Sequence, residues 1–391
     1  MERSLTPMLK ELAAEKFVLL SGPRQVGKTT LAKGWLSHFK GLYLNWDIPP
    51  DREKILQIFK KPPPEAHLVL DEIHKYARWK SWLKGLYDRE GSKLQVVVTG
   101  SAKLVLFQRG GDSLLGRYNL LRLHPLSLGE LAHKELIPPP SAAEGWLHPG
   151  TRQAPLKLWL RLAARGGFPE PFLRNENAHY HRWSLRRRQL LIQEDIRTLT
   201  DIRHLSLIEH LALLLPERTG SLLSVNALRE ELGVAHDTVS AWIEALERIY
   251  YCFLLKPFSA KISRSLKKER KLYLWDWSSL KNPAARFENM VAGHLLKATH
   301  LWTDLGYGEF ELYYWRDREK REVDFVLTRE RGPVALVECK SADSTPSEGL
   351  IHLGKKLPSI PMIQLVETPG VDFTKGLCRV VSAQDYLVNL P

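Results

Sequence analysis

Residues 17–30 read FVLLSGPRQVGKTT. Phe17, Val18, Leu19 and Leu20 form an apolar run that Ser21 and Gly22 break, and a helix-like stretch begins near Leu31 and Ala32. Between them lies Gly22-x-x-x-x-Gly27-Lys28-Thr29, the Walker A pattern. The spacing has a physical cause. Gly22 and Gly27 let the backbone curl until successive N–H groups point at one centre, which a Cβ would obstruct. The helix that follows adds its positive N-terminal end. Pro23, Arg24, Gln25 and Val26 complete the cradle and Thr30 follows it into the helix. Lys28 would reach the β- and γ-phosphates, and the Thr29 hydroxyl would ligate Mg²⁺. The plainer alternative, a glycine-rich turn before an ordinary helix, is disfavoured by the buried-strand signal in front and the helix signal behind.

Working outward, Leu5, Met8, Leu9 and Leu12 recur at helical spacing and predict a helix under the first strand. After the loop the pattern predicts a helix to near Lys40 and a strand over 41–47. A helix over 52–59 follows, bracketed by Pro49-Pro50 and Pro62-Pro63-Pro64. His67-Leu68-Val69-Leu70-Asp71-Glu72 is a buried strand ending in two carboxylates, a Walker B pattern. Asp71 would hold Mg²⁺, and Glu72 would orient or deprotonate a water. Adjacent acids cost desolvation and repulsion, which a bound cation offsets. KLQVVVTGS, residues 93–101, reads as another buried parallel strand, with Thr99 and Ser101 placed to sense phosphate at its end. Strands alternating with helices predict a doubly wound α/β sheet with its site along one edge.

At 391 residues the chain has room for several domains. The net charge of +13 points to a polyanionic partner. No apolar run approaches a membrane span, and the N-terminal stretch lacks a signal-peptide core, so the expected location is cytoplasmic, with no membrane partner. Cys252, Cys339 and Cys378 are isolated and odd in number, which argues against a disulfide framework or a zinc site.

The segments GPRQVGKTTLA, LVLDEIHKYARW, VVVTGSA and LLGRYNLLRLHPLSLGEL together resemble a family of bacterial and archaeal AAA-type ATPases that carry a C-terminal nuclease-like domain. The resemblance spans nearly the whole chain. It implies ATP and Mg²⁺ as cofactors, and makes Arg117 a candidate for the arginine that senses phosphate charge, in cis or from a neighbouring subunit if the protein is a homo-oligomer. Arg109, Arg122 and Arg165 compete for that role, and each can equally be a surface arginine. The resemblance also covers Gly166-Gly167-Phe168-Pro169, at the start of a helical lid, and Asp195-Ile196.

Residues 134–155 are rich in proline and glycine and read as a loop insertion. Helices follow to residue 200, with a basic run over 181–188 that reads first as a solvated face. Over 201–258 the order is helix, glycine turn, helix and strand, the order of a winged helix, in which Thr238 and Ser240 would approach DNA. KPFSAKISRSLKKERK, residues 256–271, sets seven cations against one acid and suits either a phosphate backbone or a solvated linker.

KLYLWD, residues 271–276, predicts a strand. A helix capped by Asn282 carries Glu288, and strands over 311–316, 321–328 and 334–340 follow, with a turn at Gly332-Pro333. Asp324, then Glu338-Cys339-Lys340 after thirteen intervening residues, is the D…ExK signature of the PD-(D/E)xK nuclease superfamily. Val323 stands where the superfamily has its proline. Glu338 and Lys340 share a strand face because side chains alternate. In this reading Glu288, Asp324 and Glu338 bind Mg²⁺ and Lys340 stabilises charge.

The expected architecture is α/β and multidomain. A P-loop AAA-type ATPase core occupies 1–130, a helical lid with its proline-rich insertion 131–200, a winged helix 201–259, and an α/β restriction-endonuclease-like domain 260–391. The expected function is ATP-dependent DNA processing with Mg²⁺-dependent cleavage. The alternatives are a nucleotide-switched DNA- or protein-binding regulator whose nuclease-like domain only binds, and a signalling or defence ATPase that recruits a protein. Cleavage of branched, single-stranded and duplex DNA, measured with and without ATP, separates them.

Overall fold

The computed structural model describes residues 3–60, 63, 66–100, 114–197, 205–259, 269–342 and 345–391. The chain divides into two compact units, Met1–His124 with Arg248–Tyr250, and Pro125–Glu247 with Tyr251–Pro391.

In the first unit α1 (Thr6–Glu15) leads into β1 (Phe17–Ser21), and α2 (Lys28–Leu36) follows the glycine loop. The remaining elements are β2 (Gly41–Asn45), α3 (Pro49–Gln57), β3 (His67–Asp71), α4 (Trp79–Glu90), β4 (Gln95–Thr99) and β5 (Tyr118–Arg122). The strands pair in the order β2-β3-β4-β1-β5, all parallel. A parallel sheet needs cover on both faces, which is why β1 is buried at every position and β3 and β4 at all but the first. One face is closed by Phe17, Leu19, Leu44, Leu70, Val96 and Val98 packed with Trp79, Leu83 and Leu86. The third helix starts three residues earlier than its prolines suggest. Pro49 and Pro50 fall in its first turn, where no N–H is needed.

The second unit opens with helices: α5 (Leu128–His133), α6 (Ala143–Leu147), α7 (Leu156–Arg165), α8 (Pro169–Arg174) and α9 (Asn177–Leu190), which continues as a wider turn over Leu191–Ile196. The proline-rich stretch is anchored rather than free. Trp146 packs edge-on against Trp302 at 5.6 Å, and its carbonyl accepts from Tyr386 Oη at 2.8 Å. In the basic run, Arg187 is buried over the Phe168 ring, whereas Arg182 and Arg186 are exposed.

Then come α10 (Leu205–Leu214), α11 (Val225–Leu232) and α12 (His236–Arg248), with Gly233 in the left-handed turn between the last two, followed by β6 (Cys252–Pro257) and β7 (Lys271–Leu274). Next are α13 (Pro283–Asp304), β8 (Phe310–Arg316), β9 (Glu322–Arg329), β10 (Gly332–Lys340) and α14 (Glu348–Lys356). The chain closes with β11 (Met362–Val366), β12 (Asp372–Lys375), β13 (Cys378–Ser382) and α15 (Ala383–Leu387). The Asn282 side chain accepts from the Ala284 and Ala285 amides and so caps α13.

The eight strands form one mixed sheet in the order β12-β13-β11-β10-β9-β8-β6-β7. Two differences from expectation matter. The β9–β10 turn is made by Glu330 and Arg331, both at positive φ, and Gly332 already pairs with Arg329. Also, β7 forms an antiparallel hairpin with β6. Among the described residues no helix is long and apolar enough to cross a membrane.

α13 and α5 are joined by a buried polar knot. Lys297 Nζ lies 2.6 Å from Glu130 Oε2 and 2.8 Å from Ser127 Oγ. The Leu128 amide donates to His294 Nε2 at 3.0 Å, so the ring keeps its proton on Nδ1, which donates to the Met290 carbonyl at 2.7 Å. Burial, aided by the Lys297 charge, pushes the His294 pKa down to about 4. Between the unfolded value and that one, only the unfolded chain takes the proton, so stability falls as pH falls from roughly 6.5 towards 4. Urea denaturation at pH 7 and pH 5 should show a loss of about 2 kcal/mol that His294→Gln does not share. Equal losses in both proteins would exclude this origin.

Candidate functional site

The Walker A residues sit where β1 gives way to α2. Gly22 has φ +145°, and a Cβ there would lie 2.2 Å from the Leu123 carbonyl oxygen, so only glycine fits this corner beside β5. Gly27 caps α2 at φ 100° and Gln25 is also left-handed at φ 65°. Lys28 Nζ donates to the carbonyls of Gly22 and Pro23 at 2.8 and 2.7 Å. Val26 is buried, Arg24 is half-buried and Thr30 is exposed on α2. Arg3, which the sequence did not single out, is buried and holds the loop from behind. Its guanidinium donates to the carbonyls of Val26 at 2.9 Å and His124 at 2.7 Å.

Asp71 ends β3, separated from β1 by β4. Its carboxylate collects three hydroxyls: Thr29 Oγ1 at 3.0 Å and Tyr43 Oη at 2.7 Å on one oxygen, and Thr99 Oγ1 on the other. A threonine hydroxyl and a carboxylate in direct contact are an oxygen donor set that fits Mg²⁺. The chain turns sharply after Asp71. Glu72 adopts φ 58°, and its amide donates to the Thr99 carbonyl at 3.0 Å. Burial raises the Glu72 pKa; Lys75, 3.4 Å away, opposes the rise and Asp71 adds to it.

Ser101 and Arg109 lie outside the described residues. Arg117 precedes β5, and β5 runs parallel to β1, so Arg117 lies at the sheet edge opposite the glycine loop. There it pairs with Asp88 at the end of α4, at 2.6 Å. Arg122, paired in register with Ser21, is on the same edge as the loop.

In the second unit, β9 and β10 are antiparallel neighbours and α13 packs against β8 and β10. Asp324 Oδ2 accepts from the Cys339 amide at 2.9 Å, Glu338 Oε2 accepts from the Asp324 amide at 3.2 Å, and Lys340 Nζ lies 2.9 Å from Glu338 Oε1. Asp324 and Glu338 are 8% and 5% exposed, so both carboxylates are buried. Glu288 on α13 accepts from Tyr273 Oη at 2.7 Å.

A lysine completes the cluster. Lys271, which in the sequence belongs to the basic run suited to nucleic acid, is only 1% exposed. Its Nζ lies 2.9 Å from Glu288 Oε1, 2.7 Å from Glu322 Oε1 and 2.8 Å from Asp324 Oδ1. Burial alone would lower its proton affinity; Tyr273, Asp324, Glu288 and Glu322 more than reverse that, and the pKa ends well above the ordinary lysine value. Burial, with the Asp324 charge, raises the carboxyls of Glu288 and Glu338, while Lys271 and Lys340 respectively oppose the rise. Every oxygen of Asp324 and Glu338 already accepts from nitrogen. As arranged, this set does not fit Mg²⁺, and among the described residues no three His, Cys, Asp or Glu side chains are placed to hold a metal. Arg270, from the same basic run, pairs with Glu247 at 3.3 Å, and residues 260–268 lie outside the described residues. Glu322 and Tyr273 were also missed. The available signal was alternation: Lys271/Tyr273, Glu322/Asp324 and Glu338/Lys340 are each polar residues two apart on a strand.

Residues 14–132 match a family model described as an AAA domain. Residues 156–288 and 284–373 match models described as domains of unknown function, DUF8612 and DUF4143. An uncharacterized protein of Mycobacterium tuberculosis is 24% identical, over 93% of this chain and 83% of its own length. Another, from Haemophilus influenzae, is 22% identical over 80% and 79%. Among solved structures, RuvB of Thermotoga maritima, described as a Holliday junction branch migration motor, aligns with TM-score 0.30 and 18% identity over 68% of this chain and 94% of that one. A point variant of the same protein aligns with TM-score 0.32 and 17% identity, over 68% and 92%. The N-terminal part is thus an AAA-type P-loop domain, on its family match and its own strand order.

The hydroxyl ring around Asp71 yields a prediction. Thr99→Val removes a bond to a buried carboxylate and should lower the stability of nucleotide-free protein by about 2 kcal/mol in urea. Thr30→Val, on the exposed face of α2, should stay within about 0.5 kcal/mol.

Proposed function

We propose that the protein binds and hydrolyses ATP in its N-terminal unit and engages nucleic acid, most simply DNA, through its C-terminal unit. The observation that carries the first half is the contact between Thr29 and Asp71 at 3.0 Å, directly beside the curled Gly22–Gly27 backbone. In this reading Gly22, Pro23, Arg24, Gln25, Val26, Gly27 and Thr30 form the cradle and its exit, and Lys28 exchanges its two loop carbonyls for phosphate oxygens. Thr29 and Asp71 would hold Mg²⁺, which when bound neutralises phosphate charge. Glu72, its proton affinity raised by burial, orients the attacking water and can take its proton. Ser101 keeps its proposed role as a sensor. In this reading Arg117 acts on a neighbouring subunit, which makes a homo-oligomer part of the proposal, and Arg122, on the loop side of β5, is the candidate within the chain.

The second half rests on the +13 net charge and on the Asp324, Glu338 and Lys340 cluster with Glu288 beside it. The cluster supports reading β7–β10 with α13 as part of a PD-(D/E)xK-like domain, preceded by a winged helix formed by α10–α12 and β6. Mg²⁺-dependent cleavage is the finer claim. Against it stands Lys271, whose ammonium is bound among the same carboxylates. That observation favours the regulator reading, in which the domain binds and does not cut.

Lys28→Ala should lower ATP hydrolysis by about 100-fold or more, while Asp324→Ala leaves it unchanged. Hydrolysis at the wild-type rate in Lys28→Ala would remove the ATPase assignment. Plasmid DNA should be retained on a filter at low salt, released as salt rises, and remain un-nicked in Mg²⁺. Nicks lost on Asp324→Ala would restore the cleavage reading.

A further inference from the structure

The Lys271 ammonium hydrogen-bonds to Asp324 Oδ1 and forms ion pairs with Glu288 and Glu322, so three carboxylates lie within 2.9 Å of one Nζ. The acceptors come from two elements, Glu288 from α13 and Glu322 and Asp324 from β9, while the lysine comes from a third, β7. In the ladder order β8 and β6 stand between β9 and β7, so ordinary strand pairing does not make this contact. The lysine has crossed to the cluster. Nor is it a mobile surface chain, since it is among the largest fully buried side chains of the described residues. A lysine this enclosed persists where carboxylates surround it, and removing its partners leaves an isolated buried charge.

Further contacts engage the same carboxylates. Asp324 Oδ2 takes the Cys339 amide, Glu338 takes the Asp324 amide and Lys340, and Glu288 Oε1 takes the Tyr273 hydroxyl. A divalent ion asks for several oxygens at about 2.1 Å with near-octahedral freedom. Here it would meet oxygens already aimed at N–H groups and a fixed positive charge in van der Waals contact.

We propose that Lys271 is the resident cation of this cluster: its ammonium holds the place between Glu288, Glu322 and Asp324 that a divalent metal would need, so the folded protein binds no metal there. Lys271 is a positioning residue in this account. It fixes the three carboxylates as a metal would, and it links β7 to β9 and α13 in addition to the ladder pairing. The inference builds on reading Asp324, Glu338 and Lys340 as a D…ExK-type arrangement. Its test uses neither ATP hydrolysis nor nucleic-acid binding, so it fails or stands separately from that reading.

The experiment titrates Mn²⁺ into nucleotide-free full-length protein, following free Mn²⁺ by electron paramagnetic resonance and the melting temperature in parallel. Wild type and Asp324→Asn should bind Mn²⁺ alike, and Mn²⁺ should shift their melting temperatures by the same amount. Lys271→Met should melt lower than wild type, recover with Mn²⁺, and gain one bound ion per chain with affinity at least about 10-fold tighter than any wild-type binding. Adding Asp324→Asn to Lys271→Met should abolish that gain. Mn²⁺ bound by wild type and lost in Asp324→Asn overturns the proposal, as does a folded Lys271→Met protein indifferent to Mn²⁺. If Lys271→Met does not fold, Lys271→Gln replaces it, and the comparison of wild type with Asp324→Asn decides by itself.

Discussion

The carboxylate cluster of the C-terminal unit is organised around one buried ammonium. Lys271 brings together a hairpin strand, a long helix and a central strand that ladder pairing alone leaves apart. Burying that charge costs several kcal/mol in desolvation, and contact with three carboxylates offsets it. The arrangement constrains chemistry as well as structure. Carboxylates gathered tightly enough to bind a metal repel one another, and some cation must be present for them to stay gathered. In this protein the chain supplies that cation itself.

The N-terminal unit solves a similar problem differently. Asp71 is enclosed by hydroxyls from Thr29, Tyr43 and Thr99. Hydroxyls stabilise a carboxylate without neutralising it, so the charge stays available to an incoming cation. The two sites thus pair similar acids with different partners: neutral donors where Mg²⁺ is expected, an ammonium where it is excluded. Arg3, buried behind the loop, and Gly22, pressed against the Leu123 carbonyl, keep the phosphate cradle from relaxing into an ordinary turn.

Much of this was legible in the residues. Apolar runs ending in Asp71 and Thr99 located the parallel strands because both faces of that sheet are covered, and Asn282 followed by Pro283 marked the start of α13. The D…ExK spacing put Asp324 near Glu338, but their alignment also needs a bulge between Pro333 and Ala335, which shifts the β9–β10 register by one residue. What stayed hidden depended on distant parts of the chain. Lys271 looks like one more cation in a basic run, and only the crossing of β7 to the carboxylates reveals its burial. Arg117 looks like a phosphate sensor until parallel pairing of β5 with β1 puts it at the opposite edge. The β9–β10 turn was misjudged because Gly332 was the expected turn residue, whereas Glu330 and Arg331 carry the positive φ angles.

The most direct measurement is anomalous diffraction at the manganese edge from crystals of the wild-type protein grown with ATP analogue and Mn²⁺. A manganese peak beside Thr29 and Asp71, with none among Glu288, Asp324 and Glu338, is the predicted result. A peak within that second set of carboxylates, with Lys271 turned away, would contradict it.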